Sequence, residues 1–228
     1  MKPVKLSGIK ACVFDAYGTL FDVSSVARGA QDALGDGWQA LSDLWRTKQL
    51  QYTWLRGLGG HHADFWQVTG DALDFAMATQ QRNDPALREH LMNLYLSLSA
   101  YAEVPQVLRR LKDGGMRLAI LSNGTPAMLA SAVTNAGLDG LFDAVLSVEE
   151  VGVYKPHPAV YRLGAERLGL ALAEACFLSS NSWDAYSAKA AGYRVLWCNR
   201  FAQVPERIPA QPDGEISDLS GLPDLVLP

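Results

Sequence analysis

Short apolar runs alternate along the chain with segments that carry apolar residues at helical spacing. Short, continuous apolar runs are typical of buried strands, and apolar residues three and four positions apart are typical of helices. Alternation of the two predicts an α/β protein whose parallel sheet is covered by helices on both faces. The predicted strands are residues 9–14, 118–121, 144–146, 175–178 and 195–197, and the predicted helices are residues 104–112, 126–136, 159–168 and 183–191.

One long stretch, residues 24–98, breaks this alternation because it contains no convincing strand. Trp, Leu and Tyr recur in it at helical spacing, which predicts helices near residues 38–56, 64–78 and 85–98. Gly57, Gly59 and Gly60 predict a loop between two of them. The pattern indicates a helical insertion directly after the first strand. The chain after about Phe201 is rich in proline and is predicted to be loop with little regular structure.

Composition narrows the class of protein. The 228 residues carry a formal net charge of −4 and no basic cluster, so nothing predicts nucleic-acid binding, although a locally positive pocket for an anion stays possible. Neither a signal-peptide pattern nor a long apolar span is seen, so we expect a cytoplasmic protein without a membrane partner. The three cysteines are far apart and are predicted to be buried, reduced thiols.

Polar side chains gather where the predicted strands end. Asp15, Tyr17 and Thr19 follow the first strand, and Ser122 and Asn123 follow the second. Further along, the polar residues are Ser179, Ser180, Asn181 and Asp184 after the fourth strand, and Lys155 in a loop. Each cluster alone fits turn or helix-cap chemistry. Since ligands bind beyond the carboxyl ends of parallel strands, convergence of all four predicts an active site there.

These clusters lie in segments that, taken together and in order, resemble the L-2-haloacid dehalogenases of the haloacid dehalogenase superfamily. The segments are DAYGTLFDV, LWRTKQLQYTWLR, LSNGTP, VYKPHPAVY and FLSSNSWDAYSAKAAGY, and the similarity runs from about residue 9 to about residue 200. The resemblance implies a Rossmann-like core, residues 1–22 and 99–228, with an inserted helical cap, residues 23–98, and an active site between them. It also implies a homodimer that needs no metal or cofactor.

Matched motif by motif, the resemblance implies that Asp15 is the nucleophile. The other implied site residues are Thr19, Arg46, Ser122, Lys155, Tyr161, Ser179, Asn181 and Asp184. Substrate contacts are expected from Ala16, Tyr17, Arg46, Ser122, Asn123, Tyr161 and Trp183. Two residues depart from the family pattern, because Ala16 is small where a bulky apolar residue is common and Tyr186 replaces a small residue. Both bear on pocket shape or helix packing more than on chemistry.

The implied reaction displaces halide from a short (S)-2-haloacid and forms an ester on Asp15. Lys155 is expected to keep the nucleophile ionised in a partly dry pocket. Ser122, with backbone N–H groups at the ends of the first two strands, is the candidate for binding the substrate carboxylate. Arg46 is expected to reach either the departing halide or that carboxylate, with Asn123 assisting.

In the second step water attacks the ester carbonyl, so carbon inverts once and the product is the (R)-2-hydroxyacid. Asp184 is the expected base and Asn181 the residue that holds the water. Thr19 and Ser179 are expected to fix the rotamers of Asp15 or Lys155 by hydrogen bonds. An apolar pocket that excludes bulk water is expected from Tyr17, Leu50, Trp54, Phe65 and Trp183.

Two other functions compete with dehalogenation. Phosphatases of this fold have a first motif of the form DxDxT. They also carry a second acidic residue four positions before the one that matches Asp184. Here those positions hold Tyr17 and Ser180, so the carboxylate-rich oxygen cage that Mg²⁺ prefers is depleted. The second alternative is an inactive binding module, which predicts loss of the nucleophile or its partners, yet Asp15, Lys155 and Asp184 are all present.

Plain structural roles also compete with the functional ones. Taken alone, Arg46 fits a solvated helix charge, Tyr161 fits ordinary packing, and Ser179 and Asn181 fit helix caps. His61 and His62 look like a metal-binding pair, but no third ligand has suitable spacing, which favours a solvated loop.

Overall fold

The computed structural model describes residues 4–23, 31 and 35–228. In these residues one sheet of six parallel strands has the order β3-β2-β1-β4-β5-β6. The strands are β1 (Ala11–Phe14), β2 (Arg117–Ser122), β3 (Ala144–Ser147), β4 (Ala175–Ser179), β5 (Arg194–Cys198) and β6 (Gly214–Ile216). The helices are α1 (Trp38–Gly59), α2 (Phe65–Thr79), α3 (Pro85–Leu94), α4 (Val104–Asp113), α5 (Pro126–Asn135), α6 (Pro158–Leu168), α7 (Ser182–Ala191) and α8 (Leu222–Val226).

The central strands are apolar along their whole length because helices cover them. Every residue of β1 and β4 is buried, which explains why their sequences show continuous apolar runs instead of alternation. In the register of the sheet Val13 lies between Ala119 of β2 and Phe177 of β4. The carboxyl ends of β1, β2 and β4 therefore lie together, where the strand order reverses direction. The predicted parallel α/β fold and its five strands are confirmed.

The chain after Phe201 is more regular than the predicted loop, because β6 joins the sheet beside β5 and α8 follows. The loop prediction holds for residues 202–213 and was wrong for β6 and α8. β6 is three residues long and is held by partners distant in sequence. Asp213, just before β6, accepts a hydrogen bond from the Val195 N–H at 2.8 Å and pairs with Lys189 and Arg194. Burial opposes ionisation of this carboxyl, yet its three partners hold the pKa of Asp213 below its ordinary value.

Helices α1, α2 and α3 occupy the described part of residues 24–98, and no strand occurs there among the described residues. The parts of the predicted insertion at residues 24–30 and 32–34 lie outside the described residues. The predicted loop begins later than expected, since α1 continues through Gly57, ends at Gly59 and is capped by Gly60, whose φ of 70° is left-handed. The third helix ends at Leu94 instead of residue 98, because the chain turns there with i to i−3 backbone bonds.

The fold bears on two predictions, namely the lack of a membrane-spanning segment and the burial of the three cysteines. Within the described ranges, no helix combines the length and the apolarity that crossing a membrane requires. Cys12, Cys176 and Cys198 are all free and buried, as predicted. Burial raises the pKa of all three thiols, that of Cys176 to about 12 and that of Cys198 to about 11, so none of them has the lowered pKa of a reactive cysteine.

Candidate active site

Asp15 directly follows β1 and lies at the centre of the polar cluster, with only 6% of its surface exposed. Its Oδ1 accepts a hydrogen bond from Lys155 Nζ at 3.0 Å. Its Oδ2 accepts from Asn181 Nδ2 at 2.8 Å and from Thr19 Oγ1 at 3.2 Å, and the Ser179 hydroxyl lies 3.5 Å away. Four donors from three separate segments fix this carboxylate in one orientation.

Lys155 is 1% exposed and lies between two carboxylates. Its Nζ donates to Asp184 Oδ2 at 2.8 Å as well as to Asp15, and it lies 5.0 Å from the centre of the Phe177 ring. Burial disfavours the ammonium, but the negative charges of Asp15 and Asp184 outweigh that effect and raise the pKa of Lys155. The site therefore contains a fixed positive charge that needs no solvent to stay charged.

Asp184 is completely buried behind Lys155, in the first turn of α7. Tyr161, on α6, donates its hydroxyl to Asp184 Oδ1 at 2.7 Å. Burial raises the pKa of Asp184, even though the charge of Lys155 acts in the opposite direction. Burial and the neighbouring carboxylate also raise the pKa of Tyr161, so the phenol stays a proton donor. Each oxygen of Asp184 retains a lone pair for a further hydrogen bond.

The loop that carries Lys155 is anchored at both sides. Asn123, just past β2, accepts the backbone N–H of Lys155 on its Oδ1 at 3.0 Å. Tyr154, the preceding residue, is buried and donates its hydroxyl to the backbone carbonyl of Ala63, between α1 and α2. Ser122 turns the chain at the end of β2, where its Oγ accepts the Gly124 N–H at 3.1 Å. These contacts bring the ammonium to the strand ends.

Arg46 reaches the site from α1. One guanidinium nitrogen donates to Asn181 Oδ1 at 3.1 Å, and the other donates to Gln49 Oε1 at 2.7 Å. The amide of Asn181 donates in turn to Asp15, so Arg46 is one side chain away from the nucleophile candidate. Arg46 thus points into the site instead of standing as a solvated helix charge.

A small cavity lies beside the Asp15 carboxylate. It leaves about 20 Å³ for the centres of water-sized molecules, which is room for roughly one water. The Tyr17 hydroxyl is buried and has no hydrogen-bond partner in the described part of the chain. The lining residues are Asp15, Tyr17, Arg46, Leu50, Phe65, Ser122, Asn123, Lys155, Asn181 and Trp183.

The remaining predicted site residues stand behind this cavity or away from it. Thr19, Ser179 and Asp184 contact the lining residues Asp15 and Lys155 from behind, and Tyr161 is linked to the cavity only through Asp184. Ala16 is fully buried among the core residues. Trp54 does not line the cavity and instead contacts Trp183, with ring centres 5.5 Å apart. Tyr186 packs on Trp197, so its effect falls on helix packing.

Two residues that sequence reasoning missed hold the site together. Gln49 is fully buried, accepts from Arg46, and donates its amide to Thr69 Oγ1 at 2.8 Å. The available signal was its position three residues after Arg46 on the same helix. Tyr154 anchors the lysine loop to Ala63, and no pattern in the sequence indicates that contact.

His61 and His62 do not form a metal centre. Both are exposed, and His62 Nε2 lies 2.9 Å from Glu149 Oε2. Within residues 4–23, 31 and 35–228, no three His, Cys, Asp or Glu side chains are grouped so that they could hold a metal ion. The solvated-loop interpretation of this pair therefore agrees with the structure.

Comparisons with known proteins identify the family to which this chain belongs. A family model described as a haloacid dehalogenase-like hydrolase matches residues 9–192. (S)-2-Haloacid dehalogenase 4A of Burkholderia cepacia is 42% identical over 95% of this chain and 94% of its own. The (S)-2-haloacid dehalogenase of Pseudomonas sp. strain YL is 44% identical over 95% of this chain and 94% of its own.

A solved structure agrees with the sequence relatives. It is that of an L-2-haloacid dehalogenase from Xanthobacter autotrophicus with chloropropionic acid covalently bound. Its TM-score with this chain is 0.89, at 39% identity, over 95% of this chain and 98% of that one. Since the family model covers most of the chain and these relatives match nearly all of it, the chain belongs to the (S)-2-haloacid dehalogenases of the haloacid dehalogenase-like hydrolase family.

Proposed function

We propose that this enzyme hydrolyses short (S)-2-haloacids to (R)-2-hydroxyacids through an ester on Asp15, without a metal ion. The observation that carries the proposal is the Asp15 carboxylate, fixed by four donors at the wall of a cavity that also contains Arg46. The relatives named above are described as (S)-2-haloacid dehalogenases, and one of them holds chloropropionic acid covalently.

In the first step a carboxylate oxygen of Asp15 attacks C2 of the substrate from the side opposite the halogen. A carbon–oxygen bond forms, the carbon–halogen bond breaks, and halide leaves with the bonding electron pair. Arg46 and Asn123, both in the cavity wall, supply N–H donors to the halide, while Ser122 is our candidate for the substrate carboxylate. The substrate carboxylate and the departing halide both carry negative charge beside Asp15, and Arg46 and Lys155 supply the positive charge that offsets it.

In the second step water attacks the carbonyl carbon of the Asp15 ester, and Asp184 accepts the proton of that water. The acyl–oxygen bond breaks, the leaving alkoxide takes a proton back from Asp184, and the second proton of the water is released as Asp15 is regenerated as a carboxylate. The 2-hydroxyacid leaves with its inverted C2. The net change consumes one water and releases halide and a proton. Burial raises the pKa of Asp184, and a raised pKa makes a carboxylate a better base.

No metal ion is needed in this scheme because Lys155 already occupies the position between the two carboxylates. We also propose that residues 23–98 act as a cap over a core formed by residues 1–22 and 99–228, since Arg46 of α1 completes the site. The homodimer and the cytoplasmic location implied by the resemblance stay predictions.

The test follows chloride released from (S)- and (R)-2-chloropropionate, each with EDTA present. We expect chloride from the (S) enantiomer alone, at the same rate with and without EDTA, and (R)-lactate as the product. Chloride release that EDTA stops would contradict metal independence. No chloride from either enantiomer, together with Mg²⁺-dependent release of phosphate from p-nitrophenyl phosphate, would replace the proposal by a phosphatase.

Gln49→Leu is expected to lower kcat/KM for (S)-2-chloropropionate by about 10- to 100-fold, the usual loss for a hydrogen bond to a charged group. The physical reason is that Gln49 holds one guanidinium nitrogen of Arg46, so the variant frees that side chain to turn away. Gln51→Leu is the matched control, because Gln51 is an exposed glutamine of the same helix. Equal kcat/KM in both variants, with melting temperatures unchanged, would show that Arg46 needs no such support.

A further inference from the structure

A wide cleft lies next to the cavity, and of its lining residues only Lys155 has a part in the scheme above. It holds about 350 Å³, against about 20 Å³ for the cavity, and its wall is mainly apolar. The lining residues are Thr53, Trp54, Gly57, Leu58, Val153, Tyr154, Lys155, Pro156 and His157. Lys155 lines both the cleft and the cavity, so the two spaces are adjacent.

Trp54 and Trp183 form the partition between the two spaces. Trp183 lines the cavity, Trp54 lines the cleft, and the two rings meet edge to face at 83° with centres 5.5 Å apart. Trp54 also lies four residues after Leu50 and eight after Arg46 on α1, so the three side chains share one stripe of the helix. The stripe runs from the cavity wall to the cleft.

The cavity as it stands is too small for the proposed substrate, because a 2-haloacid is several times larger than one water. Part of the wall must therefore move. Arg46, Lys155 and Asn181 are held by hydrogen bonds and charges, and Tyr17 and Phe65 are buried in the core.

The tryptophan pair lacks these restraints. Both rings are only partly buried, and the Trp54 indole N–H has no hydrogen-bond partner among the described residues. Turning that ring into the cleft breaks no hydrogen bond within this part of the chain, whereas moving the polar wall residues would leave buried groups unpaired.

We infer that Trp54 is the gate between this cleft and the active-site cavity, and that its ring limits the length of the 2-haloacid that enters. The inference rests on the proposed function. Substrate comes in along the apolar cleft, the Trp54 ring turns aside, and its return against Trp183 closes the site around the ligand. A longer alkyl chain needs the space that the Trp54 ring occupies when the gate is closed, so chain length is selected at Trp54.

The test compares kcat/KM for (S)-2-chlorohexanoate with kcat/KM for (S)-2-chloropropionate in four proteins: wild type, Trp54→Ala, Trp54→Phe and Trp66→Ala. Removing the Trp54 indole leaves Trp183 alone between the cavity and the cleft and gives the Trp183 ring room to move. Trp54→Ala is therefore expected to raise the ratio for the longer substrate at least about tenfold, the scale on which apolar pockets discriminate methylenes. Trp54→Phe is expected to give a smaller rise. Trp66 is the matched control, as a partly buried tryptophan of α2 that lines a different cleft.

Each outcome decides one question. A ratio in both Trp54 variants equal to that of wild type and of Trp66→Ala overturns the gate. A rise in Trp66→Ala as large as in Trp54→Ala also overturns it, because general loosening of the insertion would then explain the result. If Trp54→Ala does not fold, as judged by its melting temperature, the ratio in Trp54→Phe decides. Wild-type enzyme that releases no chloride from either substrate contradicts the proposed function instead.

Discussion

Asp15→Asn is expected to lower chloride release from (S)-2-chloropropionate by at least about 10⁴-fold, because an amide cannot form the ester and no other group in the site replaces it. Asn has nearly the same shape as Asp, so the hydrogen bond from Thr19 survives the change. Lys155 loses one of the two charges that raise its pKa but keeps Asp184. We therefore expect a folded protein that has lost only its nucleophile.

The measurement combines chloride release with mass spectrometry of the enzyme after a single turnover in ¹⁸O-labelled water. In wild type the label should enter the Asp15 carboxylate, because water attacks the ester carbonyl, and the first product molecules should carry unlabelled oxygen. Asp113→Asn is the control for exchanging a carboxylate for an amide, since Asp113 is exposed at the end of α4. Label found in the first product and not in Asp15 would mean that water attacks C2 directly.

The fold could be predicted from the sequence wherever the apolar pattern is continuous. Residues 11–14 and 175–179 are buried on every side, so their composition alone marks them as inner strands. β6 lacks such a pattern, because it is three residues long and depends on Asp213 reaching Val195 and Lys189. Contacts of that kind arise only after the sheet has formed, and no local pattern encodes them.

The candidate site also has a part that the sequence pattern predicts and a part that it does not. The sheet topology brings Asp15, Ser122 and Ser179 together, since each ends a neighbouring strand, and this follows from the strand pattern. The position of Arg46 does not follow from it, because it depends on how α1 lies over the core, and only the family resemblance indicated it. The contacts of Gln49 and Tyr154 and the separation of Trp54 from the cavity depend on that same docking.

The Lys155 cluster also explains why a buried charge is tolerated in this protein. One ammonium faces two carboxylates, and removing the ammonium would leave both carboxylates buried without their positive partner. Tyr161 donates to the Asp184 oxygen that Lys155 does not contact, so both oxygens of that carboxylate are engaged. Such an arrangement leaves Asp184 two possible roles, either as the base in ester hydrolysis or as a positioning residue for Lys155.

Asp184→Asn separates these two roles. If Asp184 is the base, the variant should release about one equivalent of chloride per site rapidly and then slow by about 10²- to 10⁴-fold, the usual contribution of a general base. Intact-mass measurement should then show the enzyme carrying the propionate ester. If Asp184 only positions Lys155, the burst itself should slow and no ester should accumulate.

Tyr161→Phe is the control for Asp184→Asn. The pH dependence of kcat is a second criterion for the role of Asp184. The control keeps the Asp184 carboxylate and removes one donor to it, so its steady-state rate should fall far less than that of Asp184→Asn. Burial raises the pKa of Asp184, and a base works only when it is ionised, so wild-type kcat should fall as pH drops through that raised pKa. This acid limb should lie at higher pH than an ordinary aspartate gives, and it should be absent from the slow phase of Asp184→Asn. An unchanged acid limb in that slow phase would assign the titration, and the role of the base, to another group.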